Sequence, residues 1–335
     1  MPMTSVGDRS LQFNTMRATT QIKTRLSVLT DEMSSGVAHD LTAHLRGDAA
    51  RLADVDRRLN LAAGFSSTAQ EAGQTIAAMQ TTLQDIETAR SRLGEQLVTL
   101  PASALPSHIA NAIGAGRATF DSITRALNTT LGNRSLFAGT ATGTIPLADP
   151  DAMIASLSTA LAGSVTLTDV QTAIDTWFDS PTGGFATLGY RGDTGAPLSR
   201  RIDTDTSVVL DGRADDPALR NLLKAAATAA VAGDPGLGLS DDIKSKLLRN
   251  AGLQMLTAAQ PLVNIQARLG LAEATVEETT VRQAAHKTAY AMMRNDLVSA
   301  DPYDTATALE QVQLQLQTHY TLTARLSKLS LVEYL

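Results

Sequence analysis

The 335-residue sequence contains no cysteine. Disulfides, thiolate metal sites and cysteine nucleophiles are therefore excluded, and the redox compartment is left open. Aromatic residues make up only 4% of the chain, and Trp177 is its one tryptophan. The apolar content, 43%, is carried mostly by Ala, Leu, Val and Ile, a mix that suits long helices with narrow seams better than one large compact core. Basic clusters are lacking as well. The net charge is −6 and no run of Lys and Arg exceeds a few residues, so no nucleic-acid partner is expected. No apolar run approaches the ~20 residues that span a bilayer, so no membrane insertion is expected. Met1 to Gly7 lack a charged segment followed by an apolar core. A cleaved Sec-type signal peptide is thus not expected, and export would need another route.

What the sequence does have is helical periodicity. Leu11, Thr15, Ala18, Ile22, Leu26, Leu29 and Met33 form one stripe, predicting a helix from about Asp8 to Met33 that Gly36 closes in a left-handed conformation. Val37 to Asp48 show no clean period. From Ala62 the positions Phe65, Ala69, Ala72, Ile76, Met79, Leu83, Ile86, Arg90, Leu93 and Leu97 alternate by three and four. That is a coiled-coil or bundle seam, ~45 residues long with its run-in from Asp54, or roughly 68 Å. Pro101 and Pro106 end it. Ser107 is expected to cap the next helix, which carries Ile109, Ile113, Gly116, Phe120, Ile123 and Leu127 and should pack antiparallel to its predecessor.

At Gly132 the character changes, and most of the Gly, Pro and Asp punctuation follows up to Gly233. Ser164–Leu167 and Thr206–Leu210 read as strands, Val170–Phe178 and Pro217–Val231 as short helices. Ser240 then caps a helix with Asp241 and Asp242 in its first turn. A stripe from Leu248 to Ala300 alternates without a slip through His286, Tyr290, Met293 and Leu297. Pro261 inside it either kinks the helix or marks its true start. Asp301-Pro302 opens a last helix with Leu309, Val312, Leu316 and Tyr320 on one face. Beyond Tyr320, Leu322, Leu326 and Leu329 lie nearly opposite Ala324 and Leu331. Such a tail needs partners on several sides.

The expected fold is mainly α: an antiparallel long-helix coiled-coil rod made by the N- and C-terminal halves, with an inserted α+β outer domain. The expected segments are an N-terminal polymerisation helix, 1–36; an outgoing rod, 37–131; the inserted domain, 132–239; a returning rod, 240–300; and a C-terminal polymerisation helix, 301–335. The expected assembly interface comprises Leu11, Ile22, Leu26, Leu29, Met33, Leu309, Val312, Leu316, Tyr320, Leu322, Leu326, Leu329, Leu331 and Leu335. Both termini are expected to be poorly ordered in the monomer and to fold on assembly.

Signs of catalysis or ligand binding are weak. His39, His44, His108, His286 and His319 are scattered, and no pair has the spacing of a helical zinc site. Asp203-Thr204-Asp205 begins like a calcium loop, but Val208 stands where the sharp turn needs glycine. Gly114-Ala115-Gly116 lacks a third glycine and reads as close helix packing; Gly236-Leu237-Gly238 reads as a connector. No cofactor, metal or enzymatic activity is expected.

Three stretches carry a resemblance. Thr323-Ala324-Arg325-Leu326-Ser327-Lys328-Leu329-Ser330-Leu331-Val332-Glu333-Tyr334-Leu335 resembles the C-terminus of the flagellin superfamily, especially its hook-associated protein type 3 branch, the hook–filament junction proteins. Glu32-Met33-Ser34-Ser35-Gly36 resembles the superfamily's first-helix ending. Asn133-Arg134-Ser135-Leu136-Phe137-Ala138-Gly139 resembles the junction branch's Arg-x-Leu-Phe-x-Gly element. The family's basic loop after Gly36 has no counterpart in Val37-Ala38-His39-Asp40. Residues 140 to 240 are hardly covered by the likeness. The resemblance implies a non-enzymatic structural protein of the extracellular bacterial flagellum, exported without a cleaved signal. Its implied partners are other copies of itself in a ring, hook-side and filament-side subunits, and an export chaperone on the C-terminal helix. A minor or divergent flagellin and a cytoplasmic coiled-coil adaptor are the competing readings.

Overall fold

The computed structural model describes residues 6–101 and 103–332; the side chains of residues 6–9, 11, 12 and 326–332 lie outside that description. The chain is mainly α, with long antiparallel-packed helices and small two-stranded sheets. In order the elements are α1 (Val6–Ser35), α2 (Leu41–Leu45), α3 (Ala49–Val98), α4 (Pro106–Leu127), β1 (Thr130–Leu131), β2 (Arg134–Ser135), α5 (Pro150–Ala160), α6 (Leu167–Asp179), β3 (Leu198–Arg201), β4 (Ser207–Leu210), α7 (Pro217–Val231), α8 (Asp241–Thr257), α9 (Ala259–Val298) and α10 (Pro302–Val332). They form two compact units. One comprises Gly64 to Gln283, the other the described residues up to Ala63 and from Ala284.

In the unit from Gly64 to Gln283, α3 runs antiparallel to α8 and α9. The Gln80 amide reaches Glu273 at 3.3 Å, Gly73 faces Val276, and Gly252 lies against Leu97 and Val98. The predicted stripe Ala69, Ala72, Ile76, Met79, Leu83, Ile86, Leu93 and Leu97 is fully buried here. Its polar member, Arg90, is buried too. The guanidinium donates to the Met255 carbonyl at 2.8 Å and to the Glu87 carboxylate. Met255 lies in the last turn of α8, whose final carbonyls have no partner within their own helix, so Arg90 supplies one. The Glu87 hydrogen bond holds the guanidinium pKa above its ordinary value. The stripe is interrupted at Ala258, and α9 starts one residue later. Pro261 is the third residue of α9, where a missing N–H costs nothing, so it marks a start and not a kink.

Helix α4 begins at Pro106, preceded by an extended Leu105 with no side-chain cap. Proline at the first position thus takes the place of the expected Ser107 cap. The main partner of α4 is α7. Gly116 is needed there, because an added Cβ would sit 2.5 Å from the Ala229 Cβ and 3.0 Å from its backbone carbonyl carbon. The small-residue reading of Gly114 to Gly116 therefore holds at Gly116, while Gly114 faces open space.

Between α4 and α7 lies the mixed segment. Gly132 and Asn133, with φ of 55° and 61°, form the two-residue turn joining β1 to β2, a geometry that favours these two residue types. Phe137 is buried immediately after it. Its carbonyl accepts from the Ala214 N–H at 2.9 Å, and the Ala138 carbonyl accepts from Asp193 at 2.9 Å. Strands β3 and β4 pair antiparallel, Leu198 opposite Leu210, and Asp203 to Thr206, the stretch that begins like a calcium loop, form the turn between them. The expected strand at Ser164–Leu167 is absent. Thr166 instead caps α6 in a reciprocal box with Asp169, and this local pairing outweighs a short β-branched run. Helix α5, which the periodicity did not reveal, opens on Asp149-Pro150, the same signal as Asp301-Pro302. Trp177, Phe178, Phe185 and Tyr190 pack ring against ring over α6, gathering much of the scarce aromatic content. Burial pushes the Tyr190 phenol well above its ordinary pKa, and its hydroxyl donates to the Asp193 carbonyl at 2.9 Å.

The two glycines of α4 give a paired test. Gly116→Ala should destabilise the chain by about 1–3 kcal/mol through overpacking against Ala229. Gly114→Ala should be neutral or stabilise by up to ~1 kcal/mol from helix propensity. Denaturant midpoints of the two variants measure both.

Candidate functional site

The second unit holds the two ends of the chain. Asp301 caps α10, its carboxylate accepting from Tyr303 at 2.8 Å and Asp304 at 3.2 Å, with Pro302 at the first helical position. Gly36 ends α1 with φ of +70°, the left-handed closure expected of it. These two helix ends are fastened together. The Ala38 N–H donates to the Val298 carbonyl at 2.9 Å, the Ala300 N–H donates to the Gly36 carbonyl at 3.0 Å, and Val37 opposes Ser299 in an antiparallel bridge. Ala38, Val298 and Thr305 are buried around this clasp.

From the clasp α1 and α10 run antiparallel. Ile22, Leu29 and Val312 are buried, with Leu26, Ala308, Leu309 and Leu316 packed against them. Farther along, Thr19 Oγ1 and His319 Nδ1 lie 3.4 Å apart and Lys23 Nζ lies 6.0 Å from the Tyr320 ring centre. The start of α3 pairs with the end of α9 in the same unit. Val55 and Ala62 are buried, Arg294 Nε bonds Asp56 at 2.9 Å, and the Arg58 guanidinium stands 6.0 Å from the Tyr290 ring centre. Hydrogen bonds from Arg58 and Arg57 hold the Asp54 carboxyl below its usual range. Beyond Gln283 the predicted α9 stripe is not a buried seam: His286 is exposed and stacked on Tyr290, and Met293 is exposed. Among the described residues this part of α9 packs on the start of α3.

Of the predicted interface residues, Ile22, Leu26, Leu29, Leu309, Val312 and Leu316 meet in one seam within the single chain. Met33 is 48% exposed, lying past the end of that seam, and Tyr320 and Leu322 are 48% and 52% exposed. The side chains of Leu11, Leu326, Leu329 and Leu331 lie outside the described residues, as does Leu335 altogether. Sequence reasoning passed over Phe13, Met16, Tyr303 and Leu314, all large, apolar and exposed. They fall off the dominant stripe of each helix, so a search for one stripe discards them. Leu314 and Leu322, with Gln311, Gln315, Thr318 and His319, line a shallow groove on a face of α10 that flanks the α1 seam, His319 reaching Thr19 at its edge. No helix among the described residues is long and apolar enough to cross a membrane. The unit therefore offers apolar helix faces and clasped ends, an arrangement suited to helix–helix association.

Residues 253–335 match the family model of the bacterial flagellin C-terminal helical region.

The match takes in the end of α8 and all of α9 and α10, about a quarter of the chain. It supports the flagellin superfamily and a flagellar structural subunit. A search of curated proteins returns no match. The flagellin-like region contains both the residues that pack on α1 and the outward Leu314–Leu322 face.

The two faces of α10 should respond differently to charge. Ile22→Asp or Val312→Asp should open the α1–α10 seam and abolish amide-exchange protection around residues 19–30 and 305–318. Leu314→Asp with Leu322→Asp should leave that protection unchanged, since burial, not exposure, makes an unpaired charge costly. Hydrogen exchange followed by mass spectrometry on the monomer reads both.

Proposed function

We propose that this protein is a structural subunit of the bacterial flagellum that forms the junction between hook and filament. The observation that carries the proposal is the flagellin-like region, whose last helix pairs with the N-terminal helix and keeps a second apolar face uncovered. Exposed apolar surface of this kind marks association sites. In this reading α1 and α10 are assembly helices that become fully ordered on incorporation. Neighbouring copies in a ring, together with hook-side and filament-side subunits, cover the faces bearing Phe13, Met16, Leu314 and Leu322. The chain acts outside the cell and has its C-terminal helix covered by an export chaperone before it gets there. Its role is non-enzymatic.

The choice of junction over filament rests on the resemblance of Arg134-Ser135-Leu136-Phe137-Ala138-Gly139 to the junction branch. In this chain that element has a defined mechanical part. Leu136 and Phe137 are buried, and Gly139 takes φ of +66° against Arg213 and the Asp193 carbonyl, locking the segment that leaves α4 onto the segment that enters α7. A filament subunit is the second reading, favoured by the family match itself.

A deletion strain separates the two. The junction reading expects hooks without filaments and unattached flagellin in the medium; normal filaments on the deletion strain would exclude it. Unlimited growth of the purified chain into filaments would favour the second reading. In complementation, Leu314→Asp with Leu322→Asp should be exported at wild-type levels yet restore under a tenth of the filaments.

A further inference from the structure

Residues 311 to 324 read Gln-Val-Gln-Leu-Gln-Leu-Gln-Thr-His-Tyr-Thr-Leu-Thr-Ala. Every odd position is polar. Every even position is apolar except Thr318, which is β-branched. This is a period of two sustained over fourteen residues, the pattern of a strand, laid over the helical stripe of Leu309, Val312, Leu316 and Tyr320. The structure nevertheless holds the whole stretch inside α10. The mismatch is visible in the burial. Successive even positions lie about 200° apart on a helix, so they cannot share one face. Val312 is buried and Leu316 half-buried against α1, while Leu314 is 65% exposed and Leu322 52%. In an extended conformation Val312, Leu314, Leu316, Tyr320 and Leu322 would all project from one face, with four glutamines on the other.

The helical form is weakly defended. Among the described residues its seam buries Ile22, Leu29 and Val312, with four partly buried neighbours. Three threonines within the stretch turn their hydroxyls back onto their own helix, Thr318 to the Leu314 carbonyl, Thr321 to Gln317 and Thr323 to His319, at 2.8–2.9 Å. Such back-bonding slightly destabilises helices. The extended form has everything cross-strand stacking requires: no Pro, no Gly, no Asp, Glu, Lys or Arg, and a glutamine row able to form hydrogen-bonded ladders. Glu310 and Arg325 bracket it in the positions where charged residues restrain such stretches.

We infer that residues 311–324 possess a second, extended state that pairs in register with the same segment of another copy, and that packing against α1 is what holds the segment helical. The occupant of the new surface is thus a second copy of this chain, joined through backbone hydrogen bonds and not through helix faces.

The test uses the full chain. Ile22→Asp with Leu29→Asp opens the seam, and the unfolding transition of the 64–283 unit verifies that the remainder stays folded. After quiescent incubation this variant should bind thioflavin T and show the infrared signature of intermolecular β-sheet at least tenfold sooner than wild type. Hydrogen exchange on the aggregate should protect residues 311–324. Adding Leu314→Lys and Leu322→Lys should abolish the aggregation, as should Gln313→Glu with Gln317→Glu, which spares every residue of the α1 seam. The inference is overturned if the opened chain stays soluble, if its aggregates are helical by infrared, if protection maps elsewhere, or if neither added pair suppresses the β-sheet.

Discussion

A helix whose apolar residues recur every three and four positions has a stripe only wide enough for one neighbour, so it is stable only where a second helix runs alongside it. This constraint governs the long elements of the chain. From Gly64 onward α3 satisfies it by lying antiparallel to α8 and α9, and its stripe from Ala69 to Leu97 is sealed. Ile76, Met79, Leu83, Ile86, Leu93 and Leu97 are among the largest fully buried side chains, and their many dispersion contacts along the seam add up to its stability. Glycine at 94 and 252 lets the backbones come close, the first beside Met255 and Leu256, the second beside Leu97 and Val98. Where α8 ends and α9 begins the facing surface is broken and carbonyls are left without partners. A long side chain with several N–H donors spans such a gap and satisfies a carbonyl at the same time, and Arg90 stands there.

The terminal pair obeys the same rule with far less material. Among the described residues its seam is shorter, its stripe is bounded at one end by the Gly36–Ala300 clasp, and Phe13, Met16, Leu314 and Leu322 are exposed. A seam this narrow holds two helices in register while leaving most of each perimeter free. That combination is poor for an isolated monomer and useful for a subunit that has to meet several neighbours.

How much of this was legible in the sequence depended on the range of the interaction involved. The long stripes were legible because thirty or more residues vote on the period. The caps at Ser240, Asp301 and Gly36 were legible because each is written within four residues. Pro261 was legible as one of two outcomes, settled by the interruption at Ala258. Thr166 and Asp149 carried equally local cap signals, yet a β-branched run obscured the first and a punctuated segment the second. Contacts between distant positions were not legible: nothing near Gly116 announces Ala229, and nothing near Arg90 announces the Met255 carbonyl. On the terminal helices the inward stripe, Ile22 through Leu316, was readable as a packing face, and it is filled from within the same chain. The outward set was readable only in part, because a search for one apolar face treats a second face as noise.

Leu314 shows why that second face is more than noise. A helix can present apolar residues in several directions in two ways. It can be apolar throughout, which makes it insoluble, or it can space apolar residues at an interval that walks around the axis. An interval of two does this, advancing about 200° each step. Between Gln311 and Ala324 it yields one buried residue, one half-buried residue and two exposed leucines from a single alternation. The same spacing is also the repeat of a strand. Multivalence as a helix and competence as a strand are therefore one property of this segment, and a substitution that weakened only the second would have to act on the glutamines. Those residues contribute little to the helical seam and much to a stacked ladder, which is why charge at Gln313 and Gln317 separates the two states when charge at Val312 or Leu316 would damage both.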